Sequence, residues 1–225
     1  MKKENIILSL GGSLVAPDKI DLDFLKKFQS LILSQLTGRR FYIYIGGGKI
    51  ARVYQQALSE FGATDEEKDW AGIGASRLNA QVVKQVFNKL TYPKVVTDPS
   101  KKMQTTKDIV VGGAWKPGRS TDYGSVLLAK NAGAKILVNL SNIDYVYDKD
   151  PNKFSDAKPI KEITWPEFRK LLPDKWSPGL SSPFDPEASK IAQKLKLKVV
   201  VINGRKLKEL DNFLDNKSFV GTIIK

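Results

Sequence analysis

Ile6-Ile7-Leu8-Ser9-Leu10 leads directly into Gly11-Gly12-Ser13, so a strand-like apolar run ends in consecutive glycines. The pattern recurs where residues 41–45 meet Gly46-Gly47-Gly48-Lys49 and where residues 109–111 meet Gly112-Gly113. A glycine after a parallel strand lets backbone amides approach a ligand without an intervening Cβ, and a following helix start favours anions. Three such turns in one chain predict several phosphate groups bound along one edge of a sheet.

Strand-like and helix-like segments alternate around these turns. The hydrophobic spacing predicts strands near 5–10, 41–45, 94–97, 109–111, 136–140, 199–202 and 222–224. It predicts helices near 22–36, from Lys49 onward, and near 73–90, 121–132, 165–172, 185–196 and 206–215, with a hairpin or loop over 145–161. Near-continuous apolar strands separated by helices indicate an α/β fold whose mostly parallel sheet is covered on both faces. We expect one domain over residues 1–225, with ligands beyond the carboxyl ends of the strands.

The composition excludes several kinds of chemistry. The 225 residues include no histidine and no cysteine, which rules out Ser-His-Asp catalysis, HExxH zinc sites, disulfides and thiolate metal sites. No apolar stretch approaches the ~20 residues that span a bilayer, and the first apolar run is too short for the core of a signal peptide. We therefore expect a cytoplasmic protein with no membrane partner.

The formal net charge of +13 indicates either an anionic partner or a basic surface that is exposed to solvent. The 37 lysines and arginines are spread along the chain, without a run of five or more basic residues. A lysine-rich surface is therefore the simpler interpretation, and nucleic-acid binding the weaker one. A positive field also attracts small polyanionic substrates.

The glycine turns differ in how strongly they indicate phosphate binding. Gly11-Gly12-Ser13 alone also fits a tight strand exit. Lys49 and Arg52 follow the Gly46-Gly47-Gly48 turn in the first helical turn, where cations are unfavourable without an anion between them. Residues 112–122 combine a flexible backbone, two cations, two hydroxyls and a carboxylate, and Ser120 or Thr121 also suits a helix cap.

Two further segments have competing interpretations. Residues 141–151 read either as a polar loop with a turn at Asp150-Pro151 or as a pocket for a purine base, with an aromatic wall and hydrogen-bonding side chains. Residues 72–77 begin like a dinucleotide fingerprint but follow no strand, so they fit the start of a helix better.

Together these segments resemble the amino acid kinase family and, within it, its archaeal-type UMP kinase branch, nearly from end to end. The Gly-Gly-Ser and Gly-Gly-Gly turns are family-wide. The branch is indicated by a block from Lys68-Asp69 to Asn79-Ala80 and by a second from Pro117-Gly118 to Thr121-Asp122. The resemblance extends to Ser141-Asn142-Ile143-Asp144, Tyr147, Asp150-Pro151 and Asp185-Pro186.

The resemblance implies a three-layer α/β/α sandwich, transfer of the γ-phosphoryl group of Mg-ATP to UMP, and a homo-oligomer that is commonly a hexamer. It implies ATP contacts at Gly12, Ser13, Gly48, Arg52, Ser141, Asn142, Tyr147 and Asp150. It implies UMP contacts at Gly47, Asp69, Ala114, Lys116, Gly118, Arg119, Ser120 and Thr121. Asp122 would organise the cationic groups around the transferred phosphoryl. No resident metal site is expected.

Phosphoryl transfer suits a chain without histidine, because it needs positioning and charge compensation more than a general base. The chain departs from the family at two places where many members have lysine, namely Ser9 and the segment 181–185. The cations that could compensate, and that we take as catalytic candidates, are Lys49, Arg52 and Arg119, with Lys116 and Lys190 as further sources of charge.

Two alternatives to a UMP kinase stay open at this point. The chain could be another phosphotransferase of the same family, with a different acceptor. It could also be a non-catalytic nucleotide-binding relative, which the two missing lysines would explain.

Overall fold

The computed structural model describes residues 3–151, 153–173 and 182–225. Within these ranges the strands are β1 (Glu4–Leu10), β2 (Arg39–Ile45), β3 (Ile109–Gly113), β4 (Ile136–Ser141), β5 (Val146–Tyr147), β6 (Pro159–Ile160), β7 (Glu162–Ile163), β8 (Lys198–Asn203) and β9 (Thr222–Ile224). Seven of them form one sheet in the order β3-β2-β1-β4-β8-β9-β7, and β5 pairs with β6 as a hairpin. The first five strands of that order are parallel, while β9 runs antiparallel to β8. The α/β fold and its mostly parallel sheet confirm the prediction.

The helices of the described ranges connect these strands. They are α1 (Gly12–Val15), α2 (Leu22–Ser34), α3 (Gly48–Glu60), α4 (Asp65–Phe87), α5 (Thr121–Ala132), α6 (Trp165–Lys170), α7 (Pro186–Lys194) and α8 (Leu207–Leu214). Their ends follow local signals: Asp21 Oδ1 accepts from Phe24 N at 2.9 Å at the start of α2, and Gly133 ends α5 with φ 65°. None of the helices so described is both long and apolar enough to cross a membrane.

The sheet is packed on both faces because successive strand residues point to opposite sides. In β1, Ile6 and Leu8 belong to one buried cluster and Ile7 to the other. The first cluster takes apolar side chains from α2, α4 and α8, and the second takes them from α5, α6 and α7. Fully burying one such aliphatic side chain contributes about 1.5–3 kcal/mol, so both faces hold the strands in fixed register.

That register brings four chain segments to one edge of the sheet. Leu10 is paired with Ile45 and with Leu140, and Ile45 is paired with Gly113. The residues that follow these positions therefore emerge side by side at the carboxyl edge. They include the Gly11 turn, the Gly46 turn, the loop over residues 114–120 and the segment that starts at Ser141.

The largest difference from the predicted elements is the length of α4. The sequence pattern suggested a helix over 73–90, but the helix begins at Asp65 because Thr64 and Glu67 form a capping box. The apolar stripe that guided the prediction starts only where α4 packs on the sheet, since its first turns are exposed. The helix ends at Phe87, and a 3₁₀ turn covers Asn88–Leu90.

The region around β3 also differs from the prediction. Residues 94–97 form no strand; Val96 makes only an isolated bridge with Gly112. Gly112 and Gly113 belong to β3 itself rather than to a turn. A Cβ on Gly112 would lie 2.7 Å from Cδ2 of the buried Tyr44 ring, so this glycine makes room for a side chain. The turn at this strand consequently begins at Ala114.

Candidate active site

The first two glycine turns pack backbone against backbone. A Cβ on Gly12 would lie 2.2 Å from the Gly46 carbonyl oxygen, and a Cβ on Gly48 would lie 2.4 Å from the Gly12 carbonyl carbon. Gly48 also has φ +67°, which side chains other than glycine rarely adopt. No side chain fits between the two turns, so the sequence needs glycine at both positions.

This packing leaves a set of backbone amides for a ligand. The amides of Gly11 and Gly46 are used by the sheet, since they donate to Leu140 O at 3.2 Å and to Leu10 O at 3.0 Å. Helix α3 starts at Gly48, and the first N–H groups of a helix have no partner within the helix. Their partial positive charge at the start of a 13-residue helix favours an anion.

A cavity of about 330 Å³, the central cavity, lies over these turns. Its floor is formed by the ends of β1 and β4, and its walls by the two glycine turns and the start of α5. The residues lining it are Ser9, Gly11, Gly12, Ser13, Leu14, Gly46, Gly47, Gly48, Arg52, Thr121, Asp122, Asn139, Leu140, Ser141, Asn142, Ser182 and Pro183.

Asp122 is the acidic residue of this lining. Its Oδ1 accepts from Ser9 Oγ at 3.3 Å and its Oδ2 accepts from the Asp185 backbone N at 3.1 Å. Burial raises the pKa of Asp122 to about 7, the Asp185 carboxylate adds to the rise, and the two hydrogen bonds oppose it. No lysine or arginine of the described ranges is paired with Asp122, so a positive charge brought by a ligand would stabilise its ionised form.

The cations proposed for catalysis have different environments. Arg52 lines the central cavity and makes no ion pair within the described residues. Lys49 instead pairs with Asp18, and both side chains are more than half exposed. Lys190 pairs with Glu187 at 2.7 Å. Of these three cations, the geometry therefore favours Arg52 as the source of charge in the central cavity.

A second pocket of about 140 Å³, the α4 pocket, adjoins the central cavity at Gly47 and Thr121. It lies between α3, α4 and the 114–120 loop. Its lining consists of Gly47, Ala51, Gln55, Asp69, Gly72, Ile73, Ser76, Ala114, Lys116, Arg119, Ser120 and Thr121.

Contacts within the α4 pocket fix its polar groups. Asp69 Oδ2 accepts from Gly118 N at 2.7 Å, which ties α4 to the 114–120 loop. The Lys116 ammonium lies 4.2 Å from the centre of the Trp115 ring, and the Arg119 guanidinium lies 4.3 Å from that of Tyr123. Two cations and one carboxylate thus face a small pocket, a combination that suits an anion with hydroxyl groups.

A third pocket of about 390 Å³, the hairpin pocket, adjoins the central cavity at Ser141 and Asn142. It lies under the β5–β6 hairpin and is lined by Ser141, Asn142, Ile143, Tyr145, Tyr147, Asp148, Lys149, Asp150, Pro151, Lys153, Leu171, Ser182 and Pro183. The hairpin is fixed to the sheet because Thr222 Oγ1 accepts from Val146 N at 2.9 Å. An aromatic wall with amide and carboxylate groups is suited to a nucleobase and a ribose.

The structure thus brings together most of the residues proposed from the sequence. All eight positions proposed for ATP line the central cavity or the hairpin pocket. Of those proposed for UMP, Gly118 lies in the 114–120 loop and is bonded to Asp69, and the other seven line the α4 pocket. Ser120 also caps α5, since its Oγ accepts from Tyr123 N at 3.1 Å, so capping and pocket lining coexist. Lys49 lies outside all three linings as far as the described residues show.

Part of one sequence prediction lies outside the described residues. The composition of the segment from Pro173 to Pro186, which is rich in Pro, Ser and Gly, predicts a mobile loop beside the site, and residues 174–181 of it lie outside the described residues. At its far end, the Ser182 hydroxyl donates to Phe184 O at 2.8 Å, and Asn139 Nδ2 donates to Pro183 O at 3.2 Å. These bonds hold the end of the segment against the floor of the central cavity.

Three side chains of α4 support the site and were not assigned a role from the sequence. Arg77 donates from Nε to Ala114 O at 3.1 Å and from Nη2 to Trp115 O at 2.9 Å. Ser76 and Asn79 contact the end of β2 and the Gly46-Gly47 turn. The signal available in the sequence was that all three belong to the block from Lys68-Asp69 to Asn79-Ala80, which carries the family resemblance.

Comparisons with known proteins agree with this architecture. The model of the amino acid kinase family matches residues 4–203. The uridylate kinase of Pyrococcus abyssi is 35% identical over 201 residues, which is 88% of this chain and 89% of the relative. The uridylate kinase of Thermoplasma volcanium is 34% identical over 225 residues, covering 99% of this chain and 98% of the relative.

A solved structure gives the same result. The crystal structure of uridylate kinase from Archaeoglobus fulgidus superposes with a TM-score of 0.85 at 30% identity, with 100% of each chain covered. The fold, the order of the turns and the near full-length matches lead to one conclusion: the chain belongs to the amino acid kinase family.

Proposed function

We propose that this chain is a uridylate kinase that transfers the γ-phosphoryl group of ATP to UMP and forms UDP. The observation that carries the proposal is the continuity of the three pockets. The central cavity shares Ser141 and Asn142 with the hairpin pocket and Gly47 and Thr121 with the α4 pocket. A phosphate-binding centre therefore lies between a large pocket and a small one, as in-line transfer between two nucleotides requires.

ATP is proposed to bind with its base and ribose in the hairpin pocket and its phosphates in the central cavity. Tyr147 and Asp150 would contact the nucleoside, and Ser141 and Asn142 would lie where the pocket meets the phosphates. The amides at the start of α3 and the guanidinium of Arg52 would compensate the phosphate charge. Gly12 and Gly48 allow this close approach because neither carries a side chain.

UMP is proposed to bind in the α4 pocket. Asp69 would accept from the ribose hydroxyls, and Lys116 and Arg119 would attract the phosphate. Thr121 lies at the junction with the central cavity, so it would contact the group in transfer. The phosphate of UMP is already ionised, so the acceptor needs no general base.

Mg²⁺ is proposed to enter the site bound to the phosphates of ATP. Among the described residues, no three acidic or histidine side chains cluster as a metal site. Mg²⁺ is commonly held by substrate phosphates with one or two carboxylates. The carboxylate of Asp122 lies in the central cavity and forms no ion pair within the described residues, so it fits that arrangement. The ion would supply positive charge to the phosphoryl group, and Asp122 would hold it there, directly or through water.

The experiment that tests the function is a coupled assay of the purified protein with Mg-ATP and a panel of acceptors: UMP, CMP, acetylglutamate, carbamate and isopentenyl phosphate. UDP formation from UMP at a rate well above the product rates of the other acceptors is expected. ATP binding without turnover of any acceptor would instead support the non-catalytic alternative, which Ser9 and Ser182 motivate. Faster turnover of another acceptor would indicate a different phosphotransferase of the family.

A homo-oligomer is also proposed, with a hexamer as the form implied by the resemblance. Exposed apolar side chains on and between α3 and α4 support it. Phe61 is 89% exposed and Leu78 is 69% exposed, and Val53 and Tyr54 are also exposed. Light scattering coupled to gel filtration tests the proposal: a mass near 25.1 kDa at micromolar concentration would contradict it.

A further inference from the structure

Ser76 and Asn79 are almost completely buried in the middle of α4. Each retains 2% of its accessible surface. A buried polar side chain is unfavourable unless it is hydrogen-bonded, and neither residue is needed to cap the helix. Their hydrogen-bond partners therefore indicate what these two side chains stabilise.

Ser76 joins two segments of the site through one hydroxyl group. Its Oγ donates to Ile45 O at 2.7 Å and accepts from Ala114 N at 2.7 Å. A serine hydroxyl has one proton and two lone pairs, so it can make both bonds at once. Ile45 is the last residue before the Gly46-Gly47-Gly48 turn, and Ala114 is the first residue of the 114–120 loop. The hydroxyl thereby sets the spacing between the central cavity and the α4 pocket.

Asn79 holds the glycine turn in one orientation. Its Nδ2 donates to Gly46 O at 3.0 Å and to Gly47 O at 3.2 Å. In a trans peptide the C=O and the next N–H point in opposite directions. When α4 holds the carbonyls of Gly46 and Gly47, the N–H groups of Gly47 and Gly48 point away from α4. Both of these glycines line the central cavity.

We propose that Ser76 and Asn79 are positioning residues for phosphoryl transfer. Ser76 fixes the separation of the phosphate donor from the phosphate acceptor, and Asn79 aims the amides of the glycine turn at the donor phosphates. The inference rests on the proposed function, because it assigns a role in the same reaction. Neither side chain needs to touch the reacting atoms.

The kinetic test compares Ser76→Ala with Ser76→Thr. Loss of the hydroxyl is expected to lower kcat about 10- to 100-fold, since small displacements of reacting groups are costly. KM for ATP and for UMP should change less than about threefold, because the Ser76 hydroxyl is bonded to Ile45 O and Ala114 N and is not free to bind a substrate. Ser76→Thr keeps the hydroxyl and should recover most of kcat. A matched control is Thr91→Val, which removes a buried hydroxyl that donates to Asn88 O at 2.7 Å, outside all three pockets.

Hydrogen exchange of the unliganded protein gives a readout that does not depend on activity. Ser76→Ala should speed exchange in peptides covering residues 113–119 by about tenfold or more, because Ala114 N loses its acceptor. Peptides from the β5–β6 hairpin should be unchanged, and Thr91→Val should leave both regions unchanged. Faster exchange at 113–119 together with the loss of kcat supports the proposal.

Three outcomes would overturn it. The first is a Ser76→Ala variant with wild-type kcat and wild-type exchange, and the second is an equal loss of kcat in Thr91→Val.

If the wild-type protein forms no UDP, the proposed function fails, and the exchange data alone decide whether Ser76 fixes the loop. If Ser76→Ala does not fold, Asn79→Ser takes its place. That variant should lower kcat and weaken ATP binding, and unchanged values for both are the third overturning outcome.

Discussion

The two sides of the central cavity are fixed by different means. On the donor side, Gly12 and Gly48 pack backbone against backbone, and a Cβ on either would lie within 2.5 Å of a backbone atom. On the acceptor side, the 114–120 loop is held by side chains of α4, among them Asp69 and Ser76. The close packing of the donor side therefore depends on the absence of side chains, with Asn79 added to orient the turn, whereas the position of the acceptor loop depends on specific hydrogen bonds. Substitution of the donor-side glycines should therefore remove most activity, while substitutions on the acceptor side should lower activity by smaller amounts that depend on the bond lost.

The largest effect is expected from Gly48→Ala. The added Cβ would lie 2.4 Å from the Gly12 carbonyl carbon, in a residue with φ +67°. The turn must move, so kcat/KM for ATP should fall more than about 1000-fold, which corresponds to about 4 kcal/mol. Steady-state kinetics measure this.

Gly62→Ala is the matched control for Gly48→Ala. Gly62 has φ +74°, and a Cβ there meets nothing within 4 Å. An alanine at position 62 has the same cost of roughly 1 kcal/mol for a left-handed backbone conformation, but its Cβ clashes with nothing. The kcat/KM for ATP of Gly62→Ala should therefore stay near the wild-type value. Similar losses in both variants would show that backbone strain alone explains the effect.

Asp122→Asn is expected to lower kcat about 100- to 1000-fold, because it removes a charge that arranges the cations around the transferred phosphoryl. The ATP dissociation constant, measured by calorimetry, should change less than about threefold. A change confined to KM would contradict the role given to this carboxylate.

The same variant tests the raised pKa of Asp122. Its pKa of about 7 in the folded protein, against an ordinary value of 3.8 for an aspartate, means that the folded protein binds the proton more tightly than the unfolded chain. Stability contributed by this group should therefore fall as pH rises from about 4 to about 7. Asp122→Asn removes this dependence, so denaturant titrations of the unliganded proteins should show a weaker decline for the variant. Parallel pH profiles would contradict the assignment.

The acceptor side should show a smaller and more selective effect in Asp69→Asn. The asparagine can still accept from Gly118 N but loses the charge-assisted bond. KM for UMP should rise about tenfold, equivalent to about 1.4 kcal/mol, with KM for ATP unchanged. Asp98→Asn is a suitable control, since Asp98 accepts from Ser100 N at 3.0 Å in an exposed segment and should leave both constants unchanged. Equal changes in KM for ATP and in KM for UMP would contradict the assignment of the two substrates to separate sides of the central cavity.

The smallest effect is expected from Lys49→Ala. Its ion pair with Asp18 is largely exposed, and such pairs contribute about 0–1 kcal/mol. Because Lys49 also lines none of the three pockets that the described residues form, kcat of Lys49→Ala should stay within about threefold of the wild-type value. Arg52 lines the central cavity, so Arg52→Ala should lower kcat much more. The reverse order would show that Lys49 supplies the catalytic charge after the nucleotide binds.

The difference between the two sides also explains what the sequence revealed. The donor turns were predictable because glycines after apolar strands are a local signal. The same holds for α5 over 121–132, with its cap at Gly133, and for the last strand at 222–224. The start of α4 was missed although Thr64 and Glu67 carry a capping signal, because its first turns lack an apolar stripe.

The hydrogen bonds that α4 makes to both sides were less predictable, because they join distant parts of the chain. Ser76 reaches partners 31 and 38 residues away, and Asn79 reaches partners 33 and 32 residues away. No pattern within α4 specifies those partners. The raised pKa of Asp122 likewise depends on Asp185, which is 63 residues away. Gly112 leaves room for the ring of Tyr44, and this could be recognised only once the pairing of β2 with β3 was known.

The most direct test of the account is the rate of UDP formation by the purified wild-type protein with Mg-ATP and UMP. We expect steady-state UDP production, faster than product formation from CMP or any other acceptor in the panel. We also expect Gly48→Ala to abolish this production and Gly62→Ala to retain it. Tight ATP binding without UDP formation, or equal activity of the two glycine variants, would contradict it.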